Sequence, residues 1–324
     1  MITTYDFIDS NKRKTILLVL LFPISLTVLI FISLYIYSYI DLSFFSQIKT
    51  NTFIYVFQAY WYYLVISVIL SGAWIFFSFY HCSDIIIKYT GAIVPKENEY
   101  KDTKRIIENI SITAGINPPK LYILERENSL NAFTVGTNSQ NSSIVLTFGL
   151  ISKLEKSELE TVIAHEIAHI VHQDTKLMMA IILMIGFFTF LGSVLIGIKG
   201  GSKKFKGNGI IMLIGFVIYI YGNFVAPLIR LAVLRTREFQ ADAKAALLTR
   251  NPQSLISALQ KINRHPIIDS FNRNEILAPM CIVSPLRIPI SLFDTLSRLS
   301  DTHPPIKERI EALEIMDGKG NIKI

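Results

Sequence analysis

Two stretches, residues 15–40 and 53–80, run for 26 and 28 positions without an acidic or basic side chain. Each is longer than the roughly 20 residues a helix needs to cross the hydrocarbon core of a bilayer, so two N-terminal spans are expected to anchor the chain in a membrane. The composition agrees: 51% of the 324 residues are hydrophobic and only 18% are charged, a balance that soluble domains seldom show. Residues 177–198 and 209–229 are also uncharged and long enough to span, although their glycines leave open a tilted or partly inserted hairpin. The first run follows the basic stretch NKRK at residues 11–14, as a signal peptide would. It is too long for the roughly 7–15 residue apolar core of a signal peptide and lacks a small-residue cleavage site, so it is expected to stay as an anchor.

The net charge of +7 would suit nucleic acid, but the basic residues cluster beside the hydrophobic runs, around positions 12–14, 199–206 and 230–237. That placement reads as charge flanking a bilayer, with no nucleic-acid partner. Cys82 and Cys281 stand far apart, without metal or redox spacing, and are expected to be free thiols.

Four blocks follow: an anchor with two spans over residues 1–80, a polar segment over 81–176, a hydrophobic hairpin over 177–229 and a second polar segment over 230–324. The two polar segments are expected to form one domain. The stretch KGGSKKFKGNG at 199–209 reads as a flexible basic loop. Residues 103–116 have helical apolar spacing that ends at glycine, whereas KLYILE, AFTVG and SSIVLTFGLI are short runs rich in β-branched and aromatic residues. These runs predict a small antiparallel sheet. A helix follows, opened by a capping-box pattern at Ser157 and Glu160 and carrying Leu159, Val162, Ile163, Ile167 and Ile170 at helical intervals.

That helix contains IAHEIAHIVHQD, residues 163–174, with three of the six histidines of the chain. His165 and His169 are four apart, so their rings leave one face about 40° apart and can share one tetrahedral ion. Glu166 sits beside the first of them. In this H-E-x-x-H spacing the imidazoles bind zinc, and the glutamate takes a proton from a water whose pKa the ion brings to roughly 7. His172 falls on the same face, but a straight helix carries it ~4.5 Å beyond His169 along the axis, poor geometry for a third ligand. A metzincin would need histidine at position 175, where the chain has Thr175, so that class is excluded. The better third ligand lies in RTREFQADA, residues 235–243. Glu238 and Asp242 share a helical face, where one carboxylate can bind the metal and the other can orient an imidazole. If both helices continued out of the hairpin, His169 and Glu238 would return at matching height.

Taken together, NKRKT, the two N-terminal spans, NAFTVG, HEIAH with the following Asp174, the hydrophobic hairpin, REFQADA and THPPIKERIEAL resemble the HtpX-type membrane metalloproteases, gluzincins related to the CAAX prenyl endopeptidases. The resemblance covers nearly the whole chain. It implies a mostly α membrane protein with about four transmembrane helices and a zincin-like α+β protease domain that holds one Zn2+ per chain. Glu238 matches the third zinc ligand, Asp242 a carboxylate behind the ligands, and Glu166 the catalytic base. Asn131 and His303 match positions that line the cleft and donate to the scissile carbonyl and its oxyanion. From the residues alone, Asn131 reads equally as a turn residue before a strand, and His303 as a cap of the final helix. Arg309 is expected to hold that helix in place. The resemblance also implies an edge strand near residues 144–147 that binds extended substrate by main-chain pairing.

The resulting expectation is a zinc endopeptidase of the cytoplasmic membrane, with its catalytic domain facing the cytoplasm. Its substrates would be misfolded or unassembled membrane proteins in quality control, and its other partner the lipid bilayer. Positive charge at the N-terminus places that end and residues 81–176 inside, which leaves the basic cluster at 199–206 on the far side. Either the hairpin does not cross fully, or metal assembly overrides the charge bias. An intramembrane site-2-type protease would need its histidines inside a span and a distant Asp-Gly ligand, yet the only Asp-Gly pair, Asp317 and Gly318, lies in the polar tail. The rival from another class is a non-catalytic zinc-binding scaffold or regulator, which would have no use for Glu166.

Overall fold

The computed structural model describes residues 4–44, 52–197, 209–264, 281–282 and 304–318. The chain divides into two compact units. One comprises Met1–Arg13, His81–Met179 and Arg230–Ile324, the other Lys14–Tyr80 and Ala180–Ile229.

In the second unit lie the apolar parts of α1 (Thr4–Phe44), α2 (Thr52–Thr90) and α6 (Asp174–Ile196), together with α7 (Gly209–Ile220). Phe22 meets Phe187 and Phe188 edge-to-face at centroid distances of 5.1 and 5.2 Å, and Ile210, Ile214 and Ile218 join the same buried cluster. Three described helical stretches are long and apolar enough to cross a membrane, Lys12–Ser38, Phe57–Thr90 and Asp174–Ile196. Where the sequence predicts a fourth span, the apolar helix Ile210–Asn223 is shorter, and a π-helical turn, Tyr221–Val225, separates α7 from α8 (Ala226–Thr249). The basic loop falls almost wholly outside the described residues.

The first unit builds the site. Helix α3 (Lys101–Ala114) stops where the spacing predicts: Gly115 takes φ 73°, and the N–H groups of Gly115 and Ile116 close on Ile112 and Ser111. This left-handed cap suits glycine because it has no Cβ. Three strands follow, β1 (Lys120–Leu124), β2 (Ala132–Val135) and β3 (Ser143–Thr147), in the spatial order β1-β3-β2. The sheet is mixed and not purely antiparallel: β1 runs parallel to β3, with Lys120 opposite Ser143, and β2 runs antiparallel to it. The cause is the connection after β1, which carries the chain past the place of β3, so that β2 returns on the far side and β3 closes between them.

β3 is therefore central, with neighbours on both sides, and cannot be the substrate-binding edge expected near residues 144–147. All five of its residues are buried. The outer side of β2 is an edge, and there Phe133 bridges Cys281, with the N–H of Ile282 donating to the carbonyl of Ala132 at 3.0 Å.

Short helix α4 (Phe148–Lys153) leads to α5 (Lys156–Val171). The capping box of α5 is formed by Glu155 and Glu158, two residues before the expected Ser157 and Glu160. Glu158 reaches back to the N–H of Glu155 at 2.8 Å and is also held by Ser257 and Lys261 of α9 (Pro252–Arg264). Those partners satisfy a buried carboxylate, which favours Glu158 over Glu160. Leu159, Val162, Ile163, Ile167 and Ile170 join the core with Ile106, Ile110, Leu146 and Leu259. Helices α5 and α6 are not continuous: Gln173 between them takes φ 57°, at a cost of roughly 1–2 kcal/mol for a residue with a Cβ. The final described helix is α10 (Ile306–Met316).

Candidate metal centre

Helix α5 holds His165 and His169 on one face, rings edge-to-face with centroids 4.7 Å apart, and their Nε2 atoms are 3.2 Å apart. Glu238, on α8, lies with Oε2 3.7 Å from His165 Nε2 and Oε1 3.6 Å from His169 Nε2. One ligand atom from each of these residues falls within 4.8 Å of the other two. A tetrahedral ion with bonds of ~2.0–2.1 Å sets its ligand atoms ~3.3–3.4 Å apart, so three converging donors at these separations fit a zinc-sized ion. His172 is outside this group: it forms the C-cap of α5 and is buried, and burial pushes its pKa down to about 4.

Each histidine is backed by a carboxylate and an arginine. Behind His165, Asp242 Oδ1 approaches Nδ1 at 2.9 Å, and Arg309 of α10 grips both oxygens of Asp242, Nε to Oδ2 and Nη2 to Oδ1, each at 2.7 Å. Arg309 is fully buried. It also donates to the carbonyl of Ile282 at 2.8 Å and stands 3.3 Å from Glu238. Burial alone would raise the pKa of Asp242, but the charge and hydrogen bonds of Arg309, with His165, hold it below the ordinary aspartate value. Arg309 thus holds the site carboxylates themselves, beyond its expected part in placing the final helix.

Behind His169, Nδ1 is hydrogen-bonded to Asp174 Oδ2 at 3.1 Å, and Arg237 donates to Asp174 Oδ1 at 2.8 Å. Burial works against a charge on His169. The hydrogen bond to Asp174 and the fields of Glu238, Asp174 and Glu166 outweigh it and raise its pKa to about 9.

Glu166 is buried, and its Oε2 accepts a 2.6 Å hydrogen bond from Thr134 on β2. Sequence reasoning did not single out Thr134, although a lone hydroxyl within an apolar strand run was the available signal. Cys281 lies close enough to Glu166 that its thiol, driven up mainly by burial, is raised further by that carboxylate. Asn131 is buried at the start of β2. Its Oδ1 accepts from the N–H of Ala132 at 3.0 Å, and its own N–H donates to Thr147 Oγ1 at 3.1 Å. His303 lies outside the described residues.

The profile of peptidase family M48 matches residues 97–317, a range that contains every residue of this centre. The chain is 36% identical to the protease HtpX homolog of Dictyoglomus turgidum, covering 97% of this chain and 95% of that protein. It is 38% identical to the protease HtpX homolog of Bacteroides fragilis, covering 74% and 76%. Among solved structures it is similar to S. mikatae Ste24p at 21% identity and a TM-score of 0.47, over 85% of this chain and 61% of that one.

Proposed function

The chain belongs to peptidase family M48 and is a membrane metalloprotease, and from that premise we propose that it is a zinc-dependent endopeptidase of the cytoplasmic membrane. Its catalytic domain, formed by residues 81–176 and 230–324, faces the cytoplasm. Its substrates are misfolded or unassembled membrane proteins, a class that rests on the resemblance to HtpX-type proteases. One observation carries the chemistry: three donor groups, His165, His169 and Glu238, converge within 4.8 Å, with the carboxylate of Glu166 next to the first of them on the same helix.

His165, His169 and Glu238 would hold one Zn2+, with Asp242 behind His165. When bound, the ion polarises the peptide carbonyl and eases ionisation of a water. Thr134 occupies one oxygen of Glu166 at 2.6 Å, which fixes the carboxylate and leaves the other oxygen to take the proton of the attacking water. Glu166 then passes that proton to the leaving amine. Asn131 or His303, by the resemblance to the family, stabilises the oxyanion.

The test is cleavage of an unfolded protein by the detergent-solubilised chain loaded with zinc, beside Glu166→Gln with equal metal content. Cleavage by the parent alone is expected. If both variants hold zinc, stay folded and fail to cut, the non-catalytic scaffold reading replaces this one.

A further inference from the structure

Asp174 is the fifth residue after His169. On an uninterrupted helix it would lie about 140° around the axis from that histidine and face away from it. The chain instead breaks after α5, where Gln173 adopts φ 57°, and α6 begins at Asp174. The break turns the Asp174 carboxylate back onto Nδ1 of His169 at 3.1 Å. The two oxygens are divided: Oδ2 meets the histidine, and Oδ1 accepts from Arg237 at 2.8 Å. Asp174 is 2% exposed and Arg237 4%, so the pair is shielded from water, and Arg237 immediately precedes the ligand Glu238 in the sequence. Behind the other histidine, Asp242 and Arg309 repeat the arrangement with carboxylate and guanidinium from different elements.

We infer that Asp174, braced by Arg237, is a positioning residue for the metal centre: it accepts the Nδ1 proton of His169, which fixes the tautomer and ring orientation that present Nε2 to the ion. The left-handed turn at Gln173 is the backbone device that delivers it. This inference rests on the proposed zinc site. A carboxylate behind a ligating histidine raises its basicity and holds its ring, and losing such a partner typically weakens metal affinity roughly 10- to 100-fold.

The test measures zinc affinity of the full-length chain in detergent by competition with a chromophoric chelator, beside the visible spectrum of the Co2+-loaded protein. Asp174→Asn is expected to weaken zinc binding roughly 10- to 100-fold and to shift the cobalt bands, which report the donor set and its geometry around the ion. Asp174→Asn with Arg237→Met, which leaves no unpaired charge buried, is expected to show the same loss. Affinity within twofold of the parent and unmoved cobalt bands in either folded variant overturn the inference.

A measurement on the unmodified protein decides the matter if neither variant folds. In 15N-histidine NMR of the zinc-loaded chain, His169 is expected to carry its proton on Nδ1 and the ion on Nε2, and the reverse overturns the assignment. A parent that binds no zinc defeats both this inference and the proposed function. A parent that binds zinc without cleaving defeats the function alone.

Discussion

Arg309 is fully buried and makes three short hydrogen bonds, two to Asp242 at 2.7 Å and one to the carbonyl of Ile282 at 2.8 Å, with Glu238 3.3 Å away. Arg309→Met keeps much of the side-chain volume and removes the charge. Hydrogen bonds to charged groups contribute about 1.5–3 kcal/mol each, but they are not additive. The controlling quantity is the carboxylate left buried without its partner, and breaking a buried pair on one side costs roughly 3–5 kcal/mol. For a folding unit of about 150–250 residues, each kcal/mol corresponds to ~2–4 °C in Tm, so the metal-free variant should unfold about 6–20 °C below the parent. Thermal unfolding in detergent at pH 7, followed by circular dichroism, measures it. Arg309→Met combined with Asp242→Leu removes both charges and should recover most of the loss, because a buried ion pair replaced by apolar groups is often close to neutral. A single variant within 2 °C of the parent, or a double variant no better than the single one, would refute the reasoning; the chosen 2 °C threshold is roughly the effect of 1 kcal/mol or less.

Further predictions concern protons. Because the pKa of metal-free His169 is raised to about 9, zinc must displace a proton at neutral pH. Affinity should therefore fall about tenfold for each pH unit below ~9, with proton release visible when titrations are repeated in buffers of different ionisation enthalpy; binding without release would contradict it. The same raised pKa stabilises the metal-free fold fully below the ordinary value of 6.5, and that contribution is lost as pH rises through about 9. At Glu158, burial alone would raise the pKa, but Lys261, Ser257 and the N–H of Glu155 hold it below 4.5. Its contribution is present above 4.5 and lost as pH falls through the lowered folded value, so Glu158→Ala should cost about 2–3 kcal/mol at pH 7 and flatten the acid limb of the stability curve measured by urea unfolding.

Much of the site was legible because its spacing is helical. His165, Glu166 and His169 lie on α5, and Glu238 and Asp242 lie on α8 one turn apart, so the 3.6-residue period brought each set to one face without knowledge of the fold. The apolar runs that mark the first two spans are legible for the same kind of reason, since length and absence of charge suffice. What failed depends on tertiary placement. The run SIVLT has three consecutive apolar residues, Ile144, Val145 and Leu146, with no polar alternation between them, the pattern of a strand buried on both faces, and that pattern signals a central strand where an edge was expected. The capping box slid from Ser157 and Glu160 to Glu155 and Glu158 because Ser257 and Lys261, some hundred residues away, satisfy one carboxylate and not the other. Asp174 was visible as part of a motif but not as a partner of His169. Its approach depends on a left-handed residue, and glutamine gives no sign of one as glycine or asparagine would.

The two relays also make the candidate metal centre depend on widely separated parts of the chain. His165 is oriented from α8 by Asp242, which is held in turn from α10 by Arg309, while His169 is oriented by Asp174, which is held from α8 by Arg237. Neither histidine is supported by its own helix, and α8 supplies the third donor as well as one member of each relay. Both imidazoles are oriented by residues that follow α5 in the chain, Asp174 from α6 and Asp242 from α8. Glu238, Asp242 and Arg237 all come from α8, and without Arg309 the Asp242 carboxylate would be buried without its guanidinium, at a cost of several kcal/mol. Arg309, more than 140 positions after His165, compensates that charge. The placing of Arg309 and the orientation of His165 are therefore linked, which is why a single buried arginine outside the three converging donors is expected to control both stability and metal affinity.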